Sequence, residues 1–289
     1  MKKLPKISIN INKKKEIRLF SKFLNHPDFP QHRQLILQAF SNDLKIELAE
    51  NLKDEKKVLI KFINQFYEKN KNTIDLAIQD CKKEMKSSTK AIRALGKSMD
   101  YHWGNNVNYV AIPTILPFSP FSDNIFYFSI LDRIKNVGKR NILTTAIHEI
   151  SHFIFFDLLK EIENEKNFSL SLDVKYYAKE TITTALFNEE PLKSALEIDN
   201  YLGNPDIRDI YISDKNKKPK TFIDYTRHQY IKNRNSGNKF KNFLNGFVTT
   251  INKASNQFSK KRFIWNQFGR ELFKNKKALK EYRQPIKLK

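Results

Sequence analysis

The stretch Thr144-Thr145-Ala146-Ile147-His148-Glu149-Ile150-Ser151-His152-Phe153 decides how this chain is read. It sets two histidines four positions apart, with a glutamate directly after the first. Residues four apart stack on one face of an α-helix. Two imidazoles so placed can reach one divalent ion, and Glu149 projects beside them, where it can take a proton from a water on that ion. The flanks are those of a buried helix, with Ile142, Leu143, Ala146, Ile147, Ile150, Phe153 and Ile154 supplying apolar surface. Burial matters because the surroundings of a metal set its solvent access and local dielectric. The bare pattern also arises by chance. Its weight here comes from a strand-like segment before it and a second helix with a usable carboxylate after it.

Working outward, Gly138-Lys139-Arg140-Asn141 reads as a turn, with Asn141 capping a helix that runs to about Lys160. Catalytic zinc takes three protein ligands and a water, so two histidines leave the site incomplete. Glu161, Glu163 and Glu165 lie on the far end of that helix or just beyond, and a rise of about 1.5 Å per residue carries them too far from His152. The chain must turn and return. Residues 167–173 supply that connection, and Tyr176 to Asn188 reads as a helix with Tyr177, Ile182, Ala185 and Leu186 apolar. Glu180, in the early part of that helix, is the candidate third ligand. The alternative for Glu180 is an ordinary first-turn glutamate favoured by the helix dipole. Glu189 and Glu190 compete with it, but they precede Pro191 and look like a helix end.

His148-Glu149-x-x-His152 followed by a glutamate on a later helix resembles the gluzincin metallopeptidases, in the thermolysin-like arrangement, over roughly residues 107–190. The resemblance implies Zn2+ held by His148, His152 and Glu180, with Glu149 as the general base in peptide-bond hydrolysis. Many gluzincins place an aspartate four residues after the third ligand, as a partner for a histidine. Here that position is Thr184, so another group must orient His148 if Glu180 is the ligand. A donor for the oxyanion is also needed. His228 is the choice, with Tyr176, Tyr177 and Tyr225 as alternatives, and a surface histidine is the plain alternative for His228. The zinc proteases that clip phage-type repressors are similar in motif. They too use a later glutamate, and nothing in this chain resembles their partner domains.

The 289 residues include 40% hydrophobic residues, 23 Phe and 11 Tyr, enough for a large core and unlike a disordered chain. A single cysteine, Cys81, excludes an internal disulfide framework and a Cys-based zinc site, and fits a reducing, cytoplasmic setting. The start Met1-Lys2-Lys3-Leu4-Pro5 lacks the apolar stretch of a signal peptide, and no apolar run approaches a membrane span. The net charge is +22: residues 139–206 carry −5, residues 1–138 carry +10 and residues 207–289 carry +17. The acidic segment holds the motif, as a cation site favours. The basic end can contact a polyanion, although Lys outnumbers Arg 42 to 11, the balance of AT-rich coding more than of an Arg-based nucleic-acid reader.

Lys6 to Asn12 alternates as a short strand. Helices follow at Glu16–Leu24, Gln31–Phe40, Ser41–Leu52 and Asp54–Lys69, and a longer one from Thr73 closes at Gly96. Cys81 on its apolar seam is a small buried hydrophobe. Val107 to Ile112 and Asn124 to Leu131 read as strands, separated by a loop whose three prolines forbid a regular central strand. An edge strand beside a zinc helix can pair with an extended peptide, and the Pro/Phe loop forms a cleft wall or simply covers the sheet. His26, His32 and His102 lack partner spacing. Asn242 to Ala254 is a further helix.

These readings combine into an α+β chain, mostly helical, with a small zincin-like sheet beside the motif helix. Residues 1–100 form a helical subdomain, 101–255 the metallopeptidase core and 256–289 a basic amphipathic tail. The function they point to is a zinc-dependent metallopeptidase acting on a peptide or protein substrate. The rival is a non-enzymatic basic protein that binds nucleic acid or a protein, with a chance motif.

Overall fold

The computed structural model describes residues 4–26, 30–44, 52–122, 124–138, 141–214 and 218–288. In chain order the elements are β1 (Lys6–Ile9), α1 (Lys13–Leu24), α2 (Pro30–Ala39), α3 (Leu52–Lys69), α4 (Lys71–Glu84), α5 (Ser88–Ser98), β2 (Asn108–Thr114), β3 (Phe121–Ser122), β4 (Ile125–Ser129) and α6 (Leu131–Ile134). Then come α7 (Ile142–Lys166), α8 (Leu172–Phe187), α9 (Leu192–Leu196), α10 (Pro205–Arg208), β5 (Tyr211–Asp214), β6 (Lys220–Thr221), α11 (Phe222–Asn235), α12 (Phe240–Asn252), α13 (Ser255–Phe268), α14 (Lys276–Tyr282) and β7 (Ile286–Leu288). The class is α+β, dominated by helix with two small mixed sheets. The expected helix over Ser41–Leu52 and the reading of the first three residues fall largely or wholly outside the described residues.

The chain divides into two compact units that interleave in sequence. One comprises Pro5–Ser88 and Asn106–Ala146. Its sheet has the order β1-β2-β4-β3, with β1, β2 and β4 parallel and β3 antiparallel to β4. Helices α1 to α3 bring Phe20, Phe40, Phe62 and Phe66 into one aromatic cluster. Glu16 on α1 is buried, and its Oε1 accepts the Ile115 N–H (2.8 Å) and the Thr114 hydroxyl (3.0 Å).

Two strand expectations need correction here. Pro113 lies inside β2, an interior strand, opposite Phe128. The hydrogen bonds explain why it is tolerated. Val110 and Thr114 bond toward β4, so Ala111 and Pro113 face β1, and Ala111 already accepts the last of these bonds, from Asn10. The missing N–H of Pro113 therefore falls beyond the end of β1. Neither β2 nor β4, the strands that flank the Pro/Phe loop, is an edge. The Pro/Phe loop folds back onto β4, with Tyr127 N–H donating to Pro120 (2.8 Å) and Phe121 and Ser122 pairing as β3.

The other unit comprises Thr89–Asn105 and the described residues from Ile147 onward, with Leu4. Its hub is α8, whose residues from Tyr177 to Phe187 are all buried, as befits a helix with no polar stripe. Helices α9 to α13 pack around it. A second sheet, order β6-β5-β7, was not foreseen. It joins β5 in parallel to β7, near the end of the described chain. The basic tail is thus part of the fold: Ile286 and Leu288 are buried, and Lys261 on α13 donates to the carbonyls of Glu281, Tyr282 and Gln284 (3.0, 2.7 and 2.8 Å).

Gly96 does not end its helix, which runs on to Ser98. A Cβ there would sit 2.6 Å from the Trp103 ring, so glycine is required for close packing. The seam from Thr73 is also interrupted, by a 3-10 turn at Met85–Ser87. Cys81 is buried, as read. A last correction concerns α7. By length and composition it could cross a membrane, with an 18-residue window of mean hydropathy 1.3, yet 72% of that window is buried inside the protein. Its apolar surface is used in packing.

Candidate metal centre

The motif helix starts on two caps. Asn141 Oδ1 accepts the Thr144 N–H (3.0 Å), as its position suggested, and Glu84 Oε2, held by Arg133 at 2.8 Å, accepts the Ile142 N–H (2.9 Å). The helix continues to Lys166, beyond the expected end. Glu163 Oε1 then accepts the Leu170 N–H (2.8 Å) and pairs with Lys175, fixing the turn that sends the chain back. Ser171 caps α8 through the Val174 N–H. Ser151 ties the two helices together, donating to the His148 carbonyl (2.6 Å) and meeting Thr183 Oγ1 (2.6 Å).

This docking brings His148, His152 and Glu180 together. One ligand atom from each lies within 4.8 Å of the other two, and all three side chains are buried. Around a tetrahedral ion, bonds of about 2.1 Å set ligand atoms about 3.4 Å apart. His148 Nε2 and Glu180 Oε2 are 3.4 Å apart, and His152 Nε2 is 3.7 Å from Glu180 Oε1. Glu180 Oε2 is buried and accepts no hydrogen bond from the described residues, the state of an oxygen that a cation would complete. These three side chains could hold a metal ion.

The electrostatics suit that use. Burial pushes the Glu180 carboxyl up, but the charge of Lys179 leads the opposing causes, and the carboxyl is held well below the usual carboxylate range. Burial and then Lys179 hold the His152 imidazole well below its ordinary value, so it stays neutral. A metal ligand needs both forms. Glu149 lies beside the group, its Oε2 3.5 Å from His152 Nδ1. Burial raises its carboxyl to about 7, against the opposing pull of His148 and Lys179.

Two neighbours were missed in the sequence. Tyr201 Oη lies 2.9 Å from His148 Nδ1 and supplies the orienting partner that Thr184 does not. With Nε2 facing a metal, Nδ1–H donates to that oxygen. Asn188 grips the Tyr201 backbone twice, through Nδ2 to the carbonyl (2.8 Å) and Oδ1 from the N–H (2.9 Å). Thr184 donates to the Glu180 carbonyl (2.8 Å) and packs against Gly203, at φ +63°, in the same turn. Lys179 is the second neighbour. Its buried Nζ bonds Glu180 Oε1 and stands 3.4 Å from His152 Nδ1. No spacing rule ties either residue to the motif.

The competing residues have other work. Glu189 pairs with Arg227, and Glu190 Oε1 accepts the Ser194 hydroxyl (2.7 Å). Glu161 and Glu165 bind Lys241. His228 is exposed on α11. That helix meets α8 through Thr226, bonded to Thr181 at 3.1 Å, and a residue two positions further on points to the opposite side. His228 instead lines a surface cavity with Tyr211, Thr221, Asp224 and Arg227, and the structure does not bring it to the triad. Among the alternatives, Tyr176 donates to Asp206 (2.6 Å), with the Arg262 guanidinium stacked 3.8 Å from its ring centroid, and Tyr177 is buried against Phe258. Tyr225 packs on Phe247.

His148, 7% exposed, is the most open member of the group, against 2% for Glu180 and 1% for His152. No protein-family model, curated protein or solved structure matches this chain, so the resemblance to gluzincins rests on the motif and on this triad.

Proposed function

We propose that the chain is a metal-dependent hydrolase cleaving peptide bonds, with zinc held by His148, His152 and Glu180. The observation that supports it is the convergence of those three side chains with Glu149 beside them. Two imidazoles and a carboxylate suit zinc. When bound, the ion polarises a carbonyl and acidifies a water. Glu149 would then serve as general base, its carboxylate standing beside the two histidine ligands on the same helix. Tyr201 fixes the tautomer and tilt of His148.

The test is Glu149→Gln. It should retain about one metal per chain and lose peptide hydrolysis by about 10²–10⁴-fold. Full activity in that variant overturns the mechanism. His148→Ala should lose the metal.

A second reading has one observation in its favour. A surface cavity of about 450 Å³ is lined by Lys276, Leu279, Lys280, Arg283, Gln284 and Pro285, in the most basic part of the chain. It fits a polyanion contact, and oligonucleotide binding that weakens steeply with salt would support it.

A further inference from the structure

The charged group closest to the proposed ligands is a cation that belongs to the chain itself. Lys179 is 7% exposed, and its Nζ bonds Glu180 Oε1, one of the two oxygens of the proposed third ligand. The same Nζ stands 3.4 Å from Nδ1 of His152, the second proposed ligand. The aliphatic stem passes along α8, and the ammonium lies 5.1 Å from the Tyr176 ring centroid. Beyond Tyr176 lie Asp206 and Arg262, already engaged with each other and with the Tyr176 hydroxyl. Lys179 is therefore held between the triad and a site whose charges are spoken for.

This arrangement conflicts with a loaded site. A histidine bound to metal through Nε2 carries its proton on Nδ1 and needs an acceptor there. Two groups face His152 Nδ1, the acceptor Glu149 Oε2 at 3.5 Å and the Lys179 Nζ donor at 3.4 Å, and the lysine competes for the nitrogen whose proton the carboxylate would take. The ammonium also takes up charge on Glu180 that a divalent ion would use. The geometry is that of a site whose carboxylate is already neutralised by a tethered cation.

We infer that Lys179 is a built-in competitor for the metal, a resident cation that holds Glu180 and His152 in the metal-free protein and withdraws as the ion enters. The inference rests on the metal-binding reading above and adds regulation to it. Loading is an exchange of one cation for another. The apparent affinity is weaker than an unobstructed His-His-Glu site would give, and the metal-free fold is protected from leaving a buried carboxylate unpartnered.

The experiment uses the full-length chain and three variants, Lys179→Met, Lys179→Gln and Lys179→Arg. Zn2+ affinity is measured by competition with a chromophoric chelator. Co2+ supplies the visible spectrum of the coordination sphere, and thermal melts are run with and without metal. Lys179→Met and Lys179→Gln should bind Zn2+ at least about tenfold more tightly than the wild type. They should also melt lower without metal and gain more on adding it. Lys179→Arg should keep the weaker affinity. Equal or weaker binding in both neutral variants, with the wild type binding metal, overturns the role of Lys179 and leaves the metal site standing. Absence of binding in the wild type and in every folded variant overturns both. Metal bound by Lys179→Met or Lys179→Gln but not by the wild type is the strongest support.

Discussion

Replacing Tyr201 by Phe removes one hydroxyl and little else. The ring keeps its packing on Phe187, with centroids 4.8 Å apart, and Asn188 still grips the backbone. What goes is the 2.9 Å contact to His148 Nδ1. Loss of such a partner costs about 10–100-fold in metal affinity, or about 1.4–2.8 kcal/mol. A net hydrogen bond is worth only about 1 kcal/mol to folding, so the metal-free protein should melt close to the wild type. The assay is a Zn2+ competition titration of both proteins, paired with thermal melts. A cycle with Asn188→Ala sharpens it. Asn188 meets His148 through Tyr201, and its other described bond goes to the Thr184 carbonyl, so if the Tyr201 route carries its effect the double variant should lose little more metal affinity than Tyr201→Phe alone. Unchanged affinity in a folded Tyr201→Phe protein would refute the assignment of Tyr201 as the orienting partner. Fully additive losses would show that Asn188 acts by another route.

Two further predictions concern the fold. Burial raises the Glu16 carboxyl to about 7, against the pull of the Ile115 and Thr114 hydrogen bonds. A carboxyl raised on folding stabilises the folded state below the unfolded value of 4.5 and loses that contribution as pH climbs toward 7. The loss is at most about 3 kcal/mol. Urea melts between pH 5 and 8 should show the wild type falling relative to Glu16→Gln, and a difference that stays flat would show that Glu16 titrates normally. Gly96→Ala pushes a methyl to within 2.6 Å of Trp103 and should cost about 1–3 kcal/mol, visible as a lower midpoint in denaturant, while an unchanged midpoint would mean the ring moves aside freely.

The third ligand shows how far local pattern reaches. Glu180 was identified by asking where the chain must return after a helix too long to close its own site. The structure joins it to both histidines. The reasoning worked because a four-residue repeat and a rigid rise per residue are properties of one helix and need no neighbours. Cys81 and the Asn141 cap were legible for the same reason. Pro113 was misread because proline is judged by the hydrogen bond it lacks, and only the length of β1 reveals that no bond was due. The sheet joining β5 to β7 was missed because its strands are two to four residues long, in lysine-rich sequence, with β7 far along the chain from the other two. His228 looked available because residue type is visible in sequence. Its direction follows from Thr226 having taken the face toward α8.

By itself, then, the sequence determined the pair of histidines, the carboxylate between them, the helices that carry them and the need for a returning glutamate, since each follows from periodicity along a single element. Only the tertiary structure decided which groups surround them. Tyr201 and Lys179 meet the motif from 53 and 27 residues away, and their contacts depend on how α8 and the turn after α9 dock. Docking is set by side-chain packing summed over many distant residues, and no short stretch of sequence contains that sum.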